Sequence, residues 1–125
     1  MKNYLMFAIE SLAPNSDYVI FGDEYSGIEW RDTVNTKPTE EQVTAKIAEI
    51  KAAEPMGLLR DERNYRLAQT DWTQLKDIDL DIIRERNWKN YRQALRDLPS
   101  KSTPKLDSNG NLDMSSVTWP DKPST

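Results

Sequence analysis

The chain contains no cysteine and no histidine. Without cysteine there is no disulfide and no thiolate nucleophile, and a reducing or an oxidising compartment is equally permitted. Without histidine, most zinc and copper sites and the commonest general base are excluded as well. No apolar run approaches the ~20 residues of a membrane span. The run Tyr4 to Ile9 (YLMFAI) is far shorter and lacks the cleavage signature of a signal peptide, so the expectation is a cytosolic product starting at its own Met1, with no membrane partner. Hydrophobic residues make up only 37% of the 125. Such a chain is expected to form one domain with an appendage, and its thin core gains from a partner or from self-association.

Basic charge is also short. The net charge is −4 and the pI about 4.9, which argues against nucleic acid as a partner. Residues 1–59 hold five Lys/Arg against ten Asp/Glu, whereas residues 60–99 hold nine against eight. The arginines of the second region are therefore balanced locally, as on a salt-bridged helix face.

What is present concentrates between Leu58 and Pro99. Leu58, Tyr65, Ala68 and Trp72 are spaced seven, three and four apart, and Trp88, Tyr91, Leu95 and Leu98 three, four and three. Both are one-faced helical stripes, and the second has the spacing of a helix seam. Asp77, Asp79 and Asp81 precede the second helix, where a carboxylate can cap free N–H groups and complement the helix dipole. Pro99 ends it and should push Leu98 out of α geometry. The short acidic link suits an antiparallel helical hairpin.

Upstream, Tyr4 to Ile9, Tyr18 to Phe21 and Ile28 to Trp30 read as three strands of a small antiparallel β-meander. Pro14 to Asp17 and the loop Gly22 to Gly27 separate them. Thr39 and Gln42 form a capping-box signature with two glutamates between them, opening a helix whose stripe is Val43, Ile47 and Ile50. That helix should cover the meander, and Pro55 to Gly57 should kink or break it. After Pro99 the composition turns to Pro, Ser, Thr, Asn and Asp. Lys101 to Asn111 is expected to be mobile and Val117 to Pro123 to be docked on a protein surface, because a proline-bounded tryptophan loses little entropy on burying a large ring. The fold class is thus α+β: residues 1–36 a β-meander module, residues 37–99 helical with a kink near 55–57 and the hairpin at 58–99, and residues 100–125 an extended tail.

Two segments of the hairpin carry a family resemblance. Arg63, Leu67 and Thr70-Asp71-Trp72-Thr73-Gln74 match an R-x-x-x-L…T-D-W-T-Q pattern. Trp88 and Tyr91-Arg92-Gln93-Ala94-Leu95-Arg96-Asp97-Leu98-Pro99 match W-x-x-Y-R-Q-A-L-R-D-L-P. Together they resemble the phage tail assembly chaperone family, also called tail fibre assembly proteins. Val117 to Pro123 is similar to the W-P-x-x-P ending of related proteins, and Gly22 to Trp30 with Lys37-Pro38-Thr39 resembles the N-terminal module of some members. The resemblance implies a phage product without a catalytic site, acting in the host cytoplasm during assembly. It would help a tail fibre or adhesin to fold by binding the fibre's distal region, its copy number set by a trimeric fibre. The alternative it implies is a structural component kept in the virion tail as a fibre tip or adaptor.

The candidate partner-binding residues are Trp72, Trp88, Tyr91, Arg92, Arg96 and Trp119. Each has a plainer reading beside the functional one. The tryptophans at stripe positions can be hairpin core. Arg92 and Arg96 can pair with Glu85, Asp71 or Asp97, or lay their stems over the aromatic rings. Tyr25 and Trp30 can be meander core or an exposed anchor. The triplet Asp77, Asp79 and Asp81 lacks the central glycine and closing glutamate of a calcium loop, so no metal or cofactor is expected. Asp71 and Asp77 have neither a pocket nor a nucleophile to work with, so no enzyme is expected.

Overall fold

The computed structural model describes residues 3–124. Met1, expected to be the chain's own start, and Thr125, the last residue of the expected tail, lie outside the described residues. The chain divides into two compact units between Ala53 and Glu54. The mixed α+β class is as expected, with one hairpin and three helices.

The first unit opens with a helix where a strand was expected. Residues Tyr4–Leu12 form α1. The Asn3 side chain accepts hydrogen bonds from Leu5 N (3.1 Å) and Met6 N (3.4 Å), which supplies the cap that starts it. Leu5, Ala8 and Ile9 then fall on one face at i, i+3 and i+4 and are buried. Strands β1 (Tyr18–Ile20) and β2 (Ile28–Trp30) pair antiparallel with Tyr18 opposite Trp30 and Ile20 opposite Ile28. The sheet therefore has two strands. The turn between them needs both its glycines. Gly22 has φ +89°, and a Cβ on Gly27 would collide with the Phe21 carbonyl.

Helix α2 (Glu40–Gln69) starts on the expected capping box. Gln42 N donates to Thr39 Oγ1 at 3.1 Å, and Thr39 N donates to Gln42 Oε1 at 2.9 Å. Val43, Ile47 and Ile50 pack with Leu5, Ile9 and Ile28 in the first core. Tyr25 and Trp30 belong to that core too, and Trp30 stacks on Tyr18 at 6.0 Å. Their polar ends are satisfied by backbone: Tyr25 Oη donates to Pro38 O and Trp30 Nε1 to Asn35 O. Tyr18 Oη donates to Glu10 Oε1 at 2.7 Å, and burial together with that carboxylate pushes its hydroxyl up to about 12. Asp32 accepts from the backbone N–H groups of Asn35, Asp17 and Val34, which hold its carboxyl down to about 2.

Helix α2 is not broken at Pro55, which lies inside it. Proline there removes one i→i−4 donor, but a 30-residue helix packed elsewhere along its length tolerates the loss. In the second unit α2 is followed by a 3-10 turn, Asp71–Gln74, and then by α3, Ile82–Asp97. Asp81 caps α3 by accepting from Arg84 N at 2.8 Å. After α3 a further 3-10 turn, Leu98–Lys101, contains Pro99. Leu98 keeps helical angles (φ −56°, ψ −44°), contrary to the expectation from its proline neighbour. It is buried, and packing against Leu59 and Val117 outweighs the local preference.

The later part of the segment Lys101 to Asn111 forms a hydrogen-bonded turn. Leu106 and Leu112 form an antiparallel bridge across it. Asp107 N donates to Asn111 O at 2.7 Å, and the Asp107 side chain accepts from Asn109 N and Asn111 N. Gly110 supplies the positive φ. The chain then enters Val117, which is buried.

Candidate functional site

The buried face of α3 is the one its spacing announced: Trp88, Tyr91, Leu95 and Leu98 are all buried. The face of α2 is not. Leu59 is fully buried with Met56 against it in one cluster and Leu67 packs into the cluster of Trp88, whereas Tyr65 is exposed. The expected stripe through Leu58, Tyr65, Ala68 and Trp72 is therefore not the buried face. Helix α2 ends at Gln69, so Trp72 does not sit on it.

Trp72 sits on the 3-10 turn and meets Trp88 edge-on, with ring centroids 5.4 Å apart at 71°. Trp88 in turn meets Tyr91 edge-on at 6.0 Å. These are favourable aromatic geometries. The indole N–H of Trp88 is buried without a hydrogen-bond partner, so packing alone holds that ring.

The T-D-W-T segment is built as a turn that Arg92 locks. Thr70 and Thr73 are buried. Thr70 Oγ1 donates to Leu67 O at 2.9 Å and Thr73 Oγ1 to Thr70 O at 2.7 Å. Arg92 reaches across from α3, and its Nη1 lies 2.9 Å from Leu67 O, 2.8 Å from Thr70 Oγ1 and 3.0 Å from Asp71 Oδ1. A cation thereby covers the carbonyl end of α2, where helix C-termini favour positive charge. Its side chain is 11% exposed and that of Asp71 67%.

The tail completes the same core. Trp119 packs against both hydrophobic clusters of this unit, and the Arg66 guanidinium lies 4.1 Å from its ring centroid. Glu62 orients that arginine through an i,i+4 pair at 3.1 Å. The structure therefore brings Trp72, Trp88, Tyr91, Arg92 and Trp119 together, largely facing inward. Arg96 stands apart, exposed, with Gln93 Oε1 at 3.4 Å.

The two hairpin segments that carried the resemblance and the ending Val117 to Pro123 lie in this second unit, whereas Gly22 to Trp30 and Lys37 to Thr39 lie in the first. A family model described as phage tail assembly chaperone protein matches residues 56–124, more than half of the chain. The chain belongs to the phage tail assembly chaperone family. No curated protein and no solved structure matches it. In this family member the matched segments build the α2–α3 hairpin and its locking turn.

A group of exposed apolar side chains lies at the tip of the hairpin. Leu75 is 62% exposed, Ile82 74% and Ile83 68%, with Trp72 and Ile78 also open to solvent. Two adjoining depressions run over it, of about 370 and 280 Å³, sharing Glu85 and Lys89 in their walls. Large apolar side chains gathered on a surface mark interaction sites more often than scattered ones do. The sequence reading passed over these residues, although a signal was available. Extended backwards, the stripe through Trp88 reaches Leu80, which leaves the adjacent pair Ile82 and Ile83 facing outwards.

Proposed function

We propose that this chain is a tail-fibre assembly chaperone that holds its client through the tip of the α2–α3 hairpin. The observation that carries the reading is the exposed apolar group Trp72, Leu75, Ile78, Ile82 and Ile83 on a unit whose other large side chains are mostly packed. Removing such surface from water is favourable by about 25 cal/mol per Å², and a client's unassembled apolar surface gains equally. The client is a tail fibre or adhesin, engaged at its distal region in the host cytoplasm during assembly, in copy number matched to a trimeric fibre. Arg96 and the open edge of Trp72 serve as its polar and aromatic rim, whereas Arg92, Trp88, Tyr91 and Trp119 hold the tip in shape. No chemical step belongs to this role.

The test is co-expression with the neighbouring tail-fibre gene. Soluble, trimeric fibre should increase in the presence of the chain, and the two should co-purify. Equal fibre yield and trimer content with and without it sink the proposal. Mass spectrometry of purified particles separates a chaperone that departs from a subunit retained at the fibre tip: a stoichiometric amount in the particle assigns the second role.

A further inference from the structure

The groove at the tip carries a charge that its apolar walls do not require. Leu75, Ile78 and Ile82 line it together with Lys76, Arg86 and Lys89, and the one carboxylate in the lining is Glu85. Among the described residues no ion pair involves any of the three cations. Asp81 is committed to the N-terminus of α3 and to Arg84, and Asp77 and Asp79 are outside the lining. Elsewhere in this unit Arg66 and Arg92 do have carboxylate partners. The lining thus combines exposed aliphatic side chains with three cations and one carboxylate, an excess of positive charge.

We infer, resting on the client-binding reading above, that this groove receives a client segment made of bulky aliphatic residues flanked by carboxylates. Docking an aliphatic segment on Leu75 and Ile82 excludes water and lowers the local dielectric, which strengthens any charge pair formed there. A neutral segment would leave the excess positive charge of the lining partly desolvated and unpaired, and a basic one would be repelled. An acidic one turns the same burial into attraction. Arg86 and Lys89 are three residues apart on α3, about 4.5 Å along its axis, so they suit two carboxylates one helical turn apart or alternating along an extended strand. Arg86 can grip a carboxylate with two parallel bonds, and Lys89 acts as a point charge.

The experiment uses the full chain co-purified with the tail-fibre protein. A zero-length carbodiimide joins lysine amines to carboxylates in direct contact, and peptide mapping locates the links. Lys76 and Lys89 should be joined to Asp or Glu within an aliphatic stretch of the fibre. The double variant Lys76→Glu, Lys89→Glu should weaken the complex at least tenfold, and Lys89→Arg should bind as the parent does. All these side chains are exposed, so helical content should be unchanged. A complex that forms without links from either lysine, or whose affinity the double reversal changes less than twofold, overturns the inference and leaves the chaperone role standing. Links from these lysines to a second copy of the chain overturn it in favour of self-association. Absence of any complex removes the client-binding reading, and this inference with it.

Discussion

Replacing Arg92 by alanine should unfold the hairpin's second unit far more readily than replacing Arg96. Arg92 Nη1 is the shared donor to Leu67 O, Thr70 Oγ1 and Asp71 Oδ1. The bond to exposed Asp71 contributes little, on the order of 0–1 kcal/mol. The charged bonds to Leu67 O and Thr70 Oγ1 matter more, at about 1.5–3 kcal/mol each in isolation. Because a single nitrogen serves all three acceptors, these figures do not add, and a loss of about 2–4 kcal/mol follows. Thr70 is buried, so the loss includes the cost of a half-satisfied hydroxyl. Arg96 donates to Gln93 at the surface, and its removal should stay within about 0.5 kcal/mol. Urea titrations followed by tryptophan fluorescence decide the matter. Trp72, Trp88 and Trp119 all lie in this unit, so its transition dominates the signal. If Arg92→Ala shifts stability no more than Arg96→Ala, Arg92 does not lock the turn, and its place among the client-binding residues becomes open again.

Trp88→Ala should cost about 3–5 kcal/mol, as expected for a fully buried ring, and Trp72→Ala only about 1–2, because its ring is partly solvated and loses mainly the edge-on contact; thermal melts by circular dichroism separate the two. Trp119→Ala should destabilise the second unit by about 2–4 kcal/mol, and limited proteolysis should then open the tail after Ser102. Asp32 is depressed to about 2, so its contribution to the first unit is complete above its ordinary value of 3.8 and is lost as pH falls towards 2. An acid titration of wild type should therefore show a loss across that window that Asp32→Asn lacks. Tyr18 has the opposite sign. Its contribution is complete below pH 10 and fades as pH rises through about 12, which ultraviolet titration of the phenolate can follow against Tyr18→Phe.

The parts legible in the sequence were those where a single rule governs. The seam through Trp88, Tyr91, Leu95 and Leu98 belongs to one amphipathic helix, and its spacing places every one of them inside. The capping box at Thr39 and Gln42 is a local bond pair and needs no tertiary information. Elsewhere two rules compete. Tyr4 to Ile9 looked like a strand because the apolar run was measured without its cap at Asn3 and its continuation to Leu12. The stripe through Trp72 fails on α2 because the helix ends at Gln69 and Trp72 lies on the following turn, which spacing alone does not reveal. The family segments announced the fold of the second unit well, yet they drew the partner-binding assignment inward. Arg92, Trp88 and Tyr91 are held by the chain itself, whereas the apolar tip shows only as the pair Ile82 and Ile83 left off the stripe through Trp88.

The most direct test of the central claim is hydrogen–deuterium exchange of the full chain with and without the co-purified tail-fibre protein. The account predicts slowed exchange on binding across residues 72–83, with the core of α3 already protected in the free chain and little altered. Exchange at residues 72–83 that is identical in the free and bound chain, with protection appearing elsewhere, would contradict it.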